Sequence, residues 1–284
     1  MIATALALAV FGVPSARADG EADSFYDGET DMNISRPVTG TYGLETGAIS
    51  ALSTYLSPLT YKGTSYGIYG DWSKAMPFSP ENAVMDFSFS SSMGRMENPA
   101  HTALMLDLDI DLHWGMAWRK RLPYRLQFTA GGASGIQGGM LWLPRNSNNP
   151  VAARAYADVS LTVGISWHTR IGRLPILIAD NARMPIAGCF FSPGYGETYY
   201  EIYLGNHNGL AHFGWPGNHF TLSNLLSISL DFGRTAMEVG YRFQADTSWK
   251  NHINTHLFRH LFVIGVIPGG LGLKKKCNVN SARY

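Results

Sequence analysis

The chain has 284 residues, a formal net charge of +1 and 15% charged residues, against about a quarter in an ordinary soluble domain. No basic block or aromatic-interleaved Lys/Arg stripe is present, which sets nucleic acid aside as a partner. No run of 18 apolar residues follows the N-terminus, which excludes a helical membrane protein.

The 31 glycines, 14 tyrosines, 14 phenylalanines and 7 tryptophans point elsewhere. Closed β-barrels use glycine at turns and bends, and aromatics where the wall meets the membrane interfaces. A mean hydropathy of −0.05 is what two alternating faces average to.

From the N-terminus, Ala5 to Val13 form an apolar core followed by Pro14, Ser15 and Ala16-Arg17-Ala18. That is the small-x-small form of an export signal, so residues 1–18 are expected to be a signal peptide cut before Asp19. Residues 19–36 are polar and turn-rich and read as a flexible leader.

Alternation of period two then recurs along the chain, placing apolar and polar side chains on opposite faces of extended strands. The early segments centre on Tyr42–Gly47, Tyr66–Trp72 and Met85–Ser90. The clearest is 106–118, where Leu106, Leu108, Ile110, Leu112, Trp114, Met116 and Trp118 alternate with Asp107, Asp109, Asp111, His113, Gly115 and Ala117. Its length exceeds the roughly 9–11 residues that a tilted strand needs to cross a bilayer. Tyr124–Thr129, 156–168, Leu226–Phe232, Met237–Asp246 and 255–267 follow, with weaker segments at 173–187 and 197–205.

Tight connections fall at Arg119–Arg121, Arg170–Arg173 and Gly233-Arg234. Placing all three on the periplasmic side needs one more strand, around Gly209–Gly214. The expected fold is therefore all-β: an antiparallel transmembrane outer-membrane β-barrel over 37–268, with about 12 strands and 10 as the alternative. Long outer loops are expected near 50–64, 143–154, 188–196, 215–219 and 247–254, and residues 269–284 as a basic periplasmic tail. A secreted β-sandwich also alternates, but its strands run about 5–6 residues. Cys189 and Cys277 would lie on opposite sides of the membrane, unbonded.

The C-terminal half carries distinctive wording: Leu204-Gly205-Asn206-His207-Asn208-Gly209-Leu210, Pro216-Gly217-Asn218-His219-Phe220-Thr221-Leu222-Ser223-Asn224, Asn251-His252-Ile253-Asn254-Thr255-His256 and Phe262–Gly270. In these motifs the chain resembles the Bacteroidota family Domain of Unknown Function 3316, over about 34 to 272. The resemblance implies an outer-membrane protein and carries over no catalytic residue. A basic tail from Lys274 to Tyr284 follows the last strand, whereas outer-membrane barrels usually end on an aromatic residue of that strand.

Three constellations bear on chemistry. His207, His219 and His252 are the candidate metal ligands, brought together only if loops converge, because zinc needs three or four ligands at about 2.0–2.1 Å. His219 and Ser223 are the candidate base and nucleophile of a lipid hydrolase, on one strand face with Thr221 between them. The expected lumen lining is Asp107, Asp109, Asp111, Arg125, Asp158, Asp231, Glu238 and Arg242. Three successive carboxylates on one strand face repel unless cations lie opposite, so the lumen is either plugged by paired charges or a narrow cation-preferring path. The readings, in order, are a structural or accessory barrel that docks partners, a narrow channel for small solutes, and an outer-membrane lipid hydrolase. No cofactor is expected. The expected partners are outer-membrane lipid and a larger outer-membrane protein complex, with the aromatic stretches 190–196 and 212–216 as interface anchors.

Overall fold

The computed structural model describes residues 38–147, 149–205, 209–271 and 282. The expected signal peptide and leader, His207, Cys277 and most of the expected tail lie outside the described residues. Eleven strands follow one another: β1 (Thr39–Ser53), β2 (Ser57–Ala75), β3 (Ala83–Glu97), β4 (Leu104–Arg121), β5 (Leu126–Trp142), β6 (Val151–Ile171), β7 (Leu174–Phe191), β8 (Ala211–Gly214), β9 (His219–Asp231), β10 (Thr235–Lys250) and β11 (Ile253–Pro268). A five-residue helix, α1 (Tyr199–Tyr203), lies between β7 and β8.

Every pairing is antiparallel, and the ring closes through β1 against β11, from Tyr42↔Val266 to Ser53↔Thr255. Ten strands make the wall; the four-residue β8 only caps the upper end of β7, at Gly188↔Gly214 to Phe191↔Ala211. A ring leaves no open edge, so each of the ten wall strands has a partner strand on both sides. Among the described residues no helix is long and apolar enough to cross a membrane.

The count of twelve is corrected to ten, and both misread segments lie in the loop after β7. Residues 197–205 hold α1, nucleated by a capping box in which Glu201 Oε2 accepts from the Thr198 amide at 2.7 Å and Thr198 Oγ1 from the Glu201 amide at 3.2 Å. Thr-x-x-Glu is the pattern that starts a helix and overrides weak alternation; the same bonds hold the exposed Glu201 carboxyl below its usual range. Residues 209–214 yield only β8. Losing two segments keeps the number even and both ends of the barrel chain at one end, here called the terminal end.

Two expected outer loops are also corrected. Residues 50–64 are a hairpin turned at Thr54–Leu56, and 247–254 a hairpin turned by Asn251 and His252 alone. Both turn residues have positive φ, 53° and 63°, the type I′ geometry whose twist suits a two-residue hairpin.

The barrel is polar within and apolar without. Leu44, Ile68, Ile110, Ile136, Val159, Leu161, Ile165, Ile228, Ile264 and Val266 are all exposed on the outer face. Trp114, Trp118, Trp167 and Phe232 flank them toward the terminal end, and Trp142, Phe213, Trp215 and Trp249 toward the other, distal end. In water such a surface would be costly, at about 25 cal/mol per Å² of apolar area.

Glycine is required where an aromatic side chain crosses the inner wall. Tyr69 lies over Gly43 and Gly265, where an added Cβ would sit 2.2 and 2.4 Å from its ring and hydroxyl. The phenol thereby reaches across β1 and β11 to donate to Glu238 Oε1 at 3.0 Å, and its ring lies 4.7 Å from the Arg242 guanidinium. Gly265→Val is expected to evict Tyr69 and destabilise the barrel by about 1–3 kcal/mol, the usual cost of overpacking. Denaturant unfolding checks this, and an unchanged midpoint would refute the packing described.

Candidate lumenal site

Three layers fill the interior. At the distal end Ile49, Tyr61, Met96, Met105, Leu141 and Leu257 form a buried apolar cluster, closed above by Leu56 and Leu143 from the turns. The loop after β7 is tied over it. Tyr55 donates to the Glu197 carbonyl at 2.6 Å, the Ala153 amide donates to the Tyr199 hydroxyl at 2.7 Å, and Asn251 Nδ2 donates to the Ser192 carbonyl at 3.2 Å. Burial, with Tyr199 and Glu197 nearby, pushes the Tyr55 phenol up to about 12.

Below lies an ion network. Arg259 spans Asp107 (Nη2–Oδ2, 2.6 Å) and Asp109 (Nη1–Oδ2, 2.8 Å). Arg154 links Asp107 at 2.9 Å to Asp246 at 3.2 Å, and His219 Nε2 lies 3.3 Å from the other Asp246 oxygen. Asp111 sits 2.7 Å from Arg183 and 2.8 Å from His113, whose other nitrogen is 3.3 Å from Asp158. Arg242 pairs with Glu45 at 2.8 Å. Charges taken from water need such partners, because an unpaired buried ion costs several kcal/mol.

Toward the terminal end the lumen widens into a vestibule of about 290 Å³, lined among others by Ser88, Ser90, Thr129, Asn181, Ser227 and Glu238. Ser227 and Ser229 face Glu238 Oε2 at 3.4 and 3.2 Å. Arg119 closes one side. Fully buried on β4, it donates to the carbonyls of Glu81, Pro80 and Ala282 at 2.9, 2.6 and 2.9 Å.

Asp107, Asp109, Asp158, Asp231, Glu238 and Arg242 are buried on the inner face, and Asp111 faces it half-buried. Asp231 stands apart at the terminal turn, accepting from the Gly233 amide at 2.7 Å. Arg125 is a correction. It is exposed with φ of 62° in the turn before β5, so Gln127 is the first inward residue of that strand. Arg119, expected in a turn, belongs to the lumen.

His219 and Ser223 share the inner face of β9 four residues apart, roughly 13 Å along a strand, too far for direct proton transfer. Instead His219 stacks on Phe190 and packs at a tilt against Tyr156, with ring centroids 4.9 and 4.1 Å away. His252 is exposed in its hairpin turn, remote from the inner face that holds His219. Among the described residues no group of three His, Cys, Asp or Glu is placed to hold a metal ion. Reading the sequence missed Arg154, Arg183 and Arg259. The signal was the demand of three stacked carboxylates for cations.

A closed ring of strands with its ion network inside and an apolar outer face defines the membrane-spanning β-barrel class. The chain belongs to the family described as "Protein of unknown function (DUF3316)", whose model matches residues 5–276. Among solved structures it is similar to the transport unit of the autotransporter AIDA-I from Escherichia coli (7% identity, 95% of this chain and 97% of that one, TM-score 0.47). It is also similar to the translocator domain of the autotransporter NalP from Neisseria meningitidis (8%, 84% and 90%, 0.36) and to Neisserial surface protein A (13%, 82% and 99%, 0.28). No curated protein matches.

Proposed function

We propose that this chain is an outer-membrane β-barrel with a structural or accessory role, exported by its N-terminal signal and set with its terminal end in the periplasm. One observation carries the reading. The lumen is blocked twice, by the apolar cluster around Met96, Met105 and Leu141 and by the Arg259–Asp107–Asp109 network beneath it. A conduit needs a continuous polar path, and a dry cluster of this kind interrupts it.

The partner-docking part rests on the distal loop. Tyr200, Tyr203 and Leu204 of α1 and its end are 68%, 83% and 65% exposed, and exposed aromatics are favoured anchors for a partner protein. The vestibule favours the alternative, a narrow path for small solutes, because hydroxyl, amide and carboxylate groups line it. Planar-bilayer recording of the refolded protein separates the two. No steady unitary conductance is expected. A steady conductance that falls in Asp109→Asn would overturn the closed-barrel reading and install the channel. A hydrolase receives no support from the His219–Ser223 spacing.

A further inference from the structure

The wall is not uniformly sealed. β7 pairs with β9 from Ile176↔Leu230 to Arg183↔Ser223, then with β8 only from Gly188↔Gly214 upward. Between these ladders the register skips residues 184–187 of β7 and 219–222 of β9. Pro185, which has no N–H to give, lies in the skipped stretch, and Ile186 is an extra residue in the β6–β7 ladder, where Val159↔Ala187 is followed by Ser160↔Pro185. Proline and a bulge together are how a strand stops pairing.

The seam faces outward between apolar wall and aromatic rim. Ile186 is exposed, Phe213 and Trp215 stand above it, and Leu226 and Ile228 below. Below it too, the outer face carries a carboxylate: Asp180, cross-strand from Ile165 and Leu226, accepts from Asn224 Nδ2 at 2.7 Å. Ionisable groups on a lipid-facing wall are rare and mark function.

Behind the seam are two small cavities, of about 30 and 50 Å³. Pro185, Thr221, Leu222 and Asp158 line the first, together with Arg183 and Arg259, each already paired with carboxylates of the ion network. Tyr156 and Asp246 line both, and His219 the second. His219 and Tyr156 are 5% and 6% exposed, yet among the described residues His219 Nδ1 and the Tyr156 hydroxyl have no hydrogen-bond partner, nor has Thr221 Oγ1. Buried polar atoms without partners are uncommon and call for an occupant. Among the described residues Asp158 is answered by the Ser160 hydroxyl and His113 alone, whereas Asp107, Asp109, Asp111 and Asp246 each meet a guanidinium.

We infer that the β7–β9 seam is a lateral binding site for the primary-ammonium head of a bilayer lipid, whose acyl chains stay outside against Ile186 and Phe220. Asp158, the lining carboxylate that no arginine pairs among the described residues, selects the cation. The unpaired acceptors and hydroxyls take its N–H donors, and the cavity size excludes a sugar head. The inference rests on the membrane-spanning reading above.

The test uses the full mature chain mixed with vesicles containing phosphatidylethanolamine, phosphatidylcholine or phosphatidylglycerol, each with a photoactivatable diazirine in its headgroup. Flotation with the vesicles comes first; failure to float would overturn the membrane reading itself. For floating protein, mass spectrometry of cross-linked peptides is expected to find the phosphatidylethanolamine probe on lumen-facing Tyr156 and Thr221. Asp158→Asn should lower that labelling about tenfold, the loss of one hydrogen bond to a charged group. Thr221→Val keeps the volume and should weaken labelling less. Equal labelling by the three lipids, labelling confined to Ile186 and Phe220, or no effect of Asp158→Asn in a variant that unfolds like wild type would each overturn the site.

Discussion

Arg259→Ala is expected to destabilise the barrel by about 3–5 kcal/mol, the cost of stranding buried charges by removing their partner. Arg259 is 3% exposed, and Asp107 and Asp109 are 0% and 5% exposed. With the guanidinium gone, Asp107 retains Arg154 at 2.9 Å, but Asp109 keeps only Gln137 at 3.1 Å and Arg154 at 3.7 Å. Asp107, Asp109 and Asp246 then share the one Arg154 guanidinium in a buried layer. Denaturant unfolding of the reconstituted protein measures the loss. The triple change Asp107→Asn, Asp109→Asn and Arg259→Met should recover most of it, because a neutral set leaves no ion stranded. A single-variant loss below roughly 1 kcal/mol, the value of an ordinary hydrogen bond, would mean that water already fills the layer. The plug would then be no plug.

Much of this architecture was legible because a period of two needs only local information. Residues 106–118 sort onto two faces by parity, and the inward parity holds through Asp107, Asp109, Asp111 and His113. The missing cations were harder. Arg154 sits in an alanine-rich stretch, Val151-Ala152-Ala153-Arg154, that reads as loop, and Arg259 in a run apolar on both faces. Both are inward because of strand extent and register, which non-local pairing decides. Arg125 failed for a related reason: the Pro123 turn displaced the strand start past it. The seam was invisible, since it exists only where β7 changes partner from β9 to β8. α1, by contrast, is readable from Thr198-Tyr199-Tyr200-Glu201, because the capping pattern there outweighs a weak alternation.

Ile264→Arg is expected to cost about 2–4 kcal/mol, the penalty of arginine near the midplane of a bilayer on the lipid face of a barrel. Ile264 is 46% exposed and lies between Leu44 and Val239, themselves exposed and apolar. Its neighbour Val263 is 0% exposed and points inward. The same substitution distinguishes two solvents with opposite preferences. If water bathed the outer face, an arginine there would hydrate freely and the change would stay within about 0.5 kcal/mol, as for ordinary surface positions. In hydrocarbon the guanidinium must snorkel or drag water with it, and folding into vesicles loses the full amount. Comparing unfolding in thin and thick bilayers sharpens the result, because a thicker hydrocarbon layer lengthens the distance to water and should enlarge the loss. A neutral outcome in both would show that the apolar outer face is not a lipid surface, and the membrane-spanning reading would fall with it.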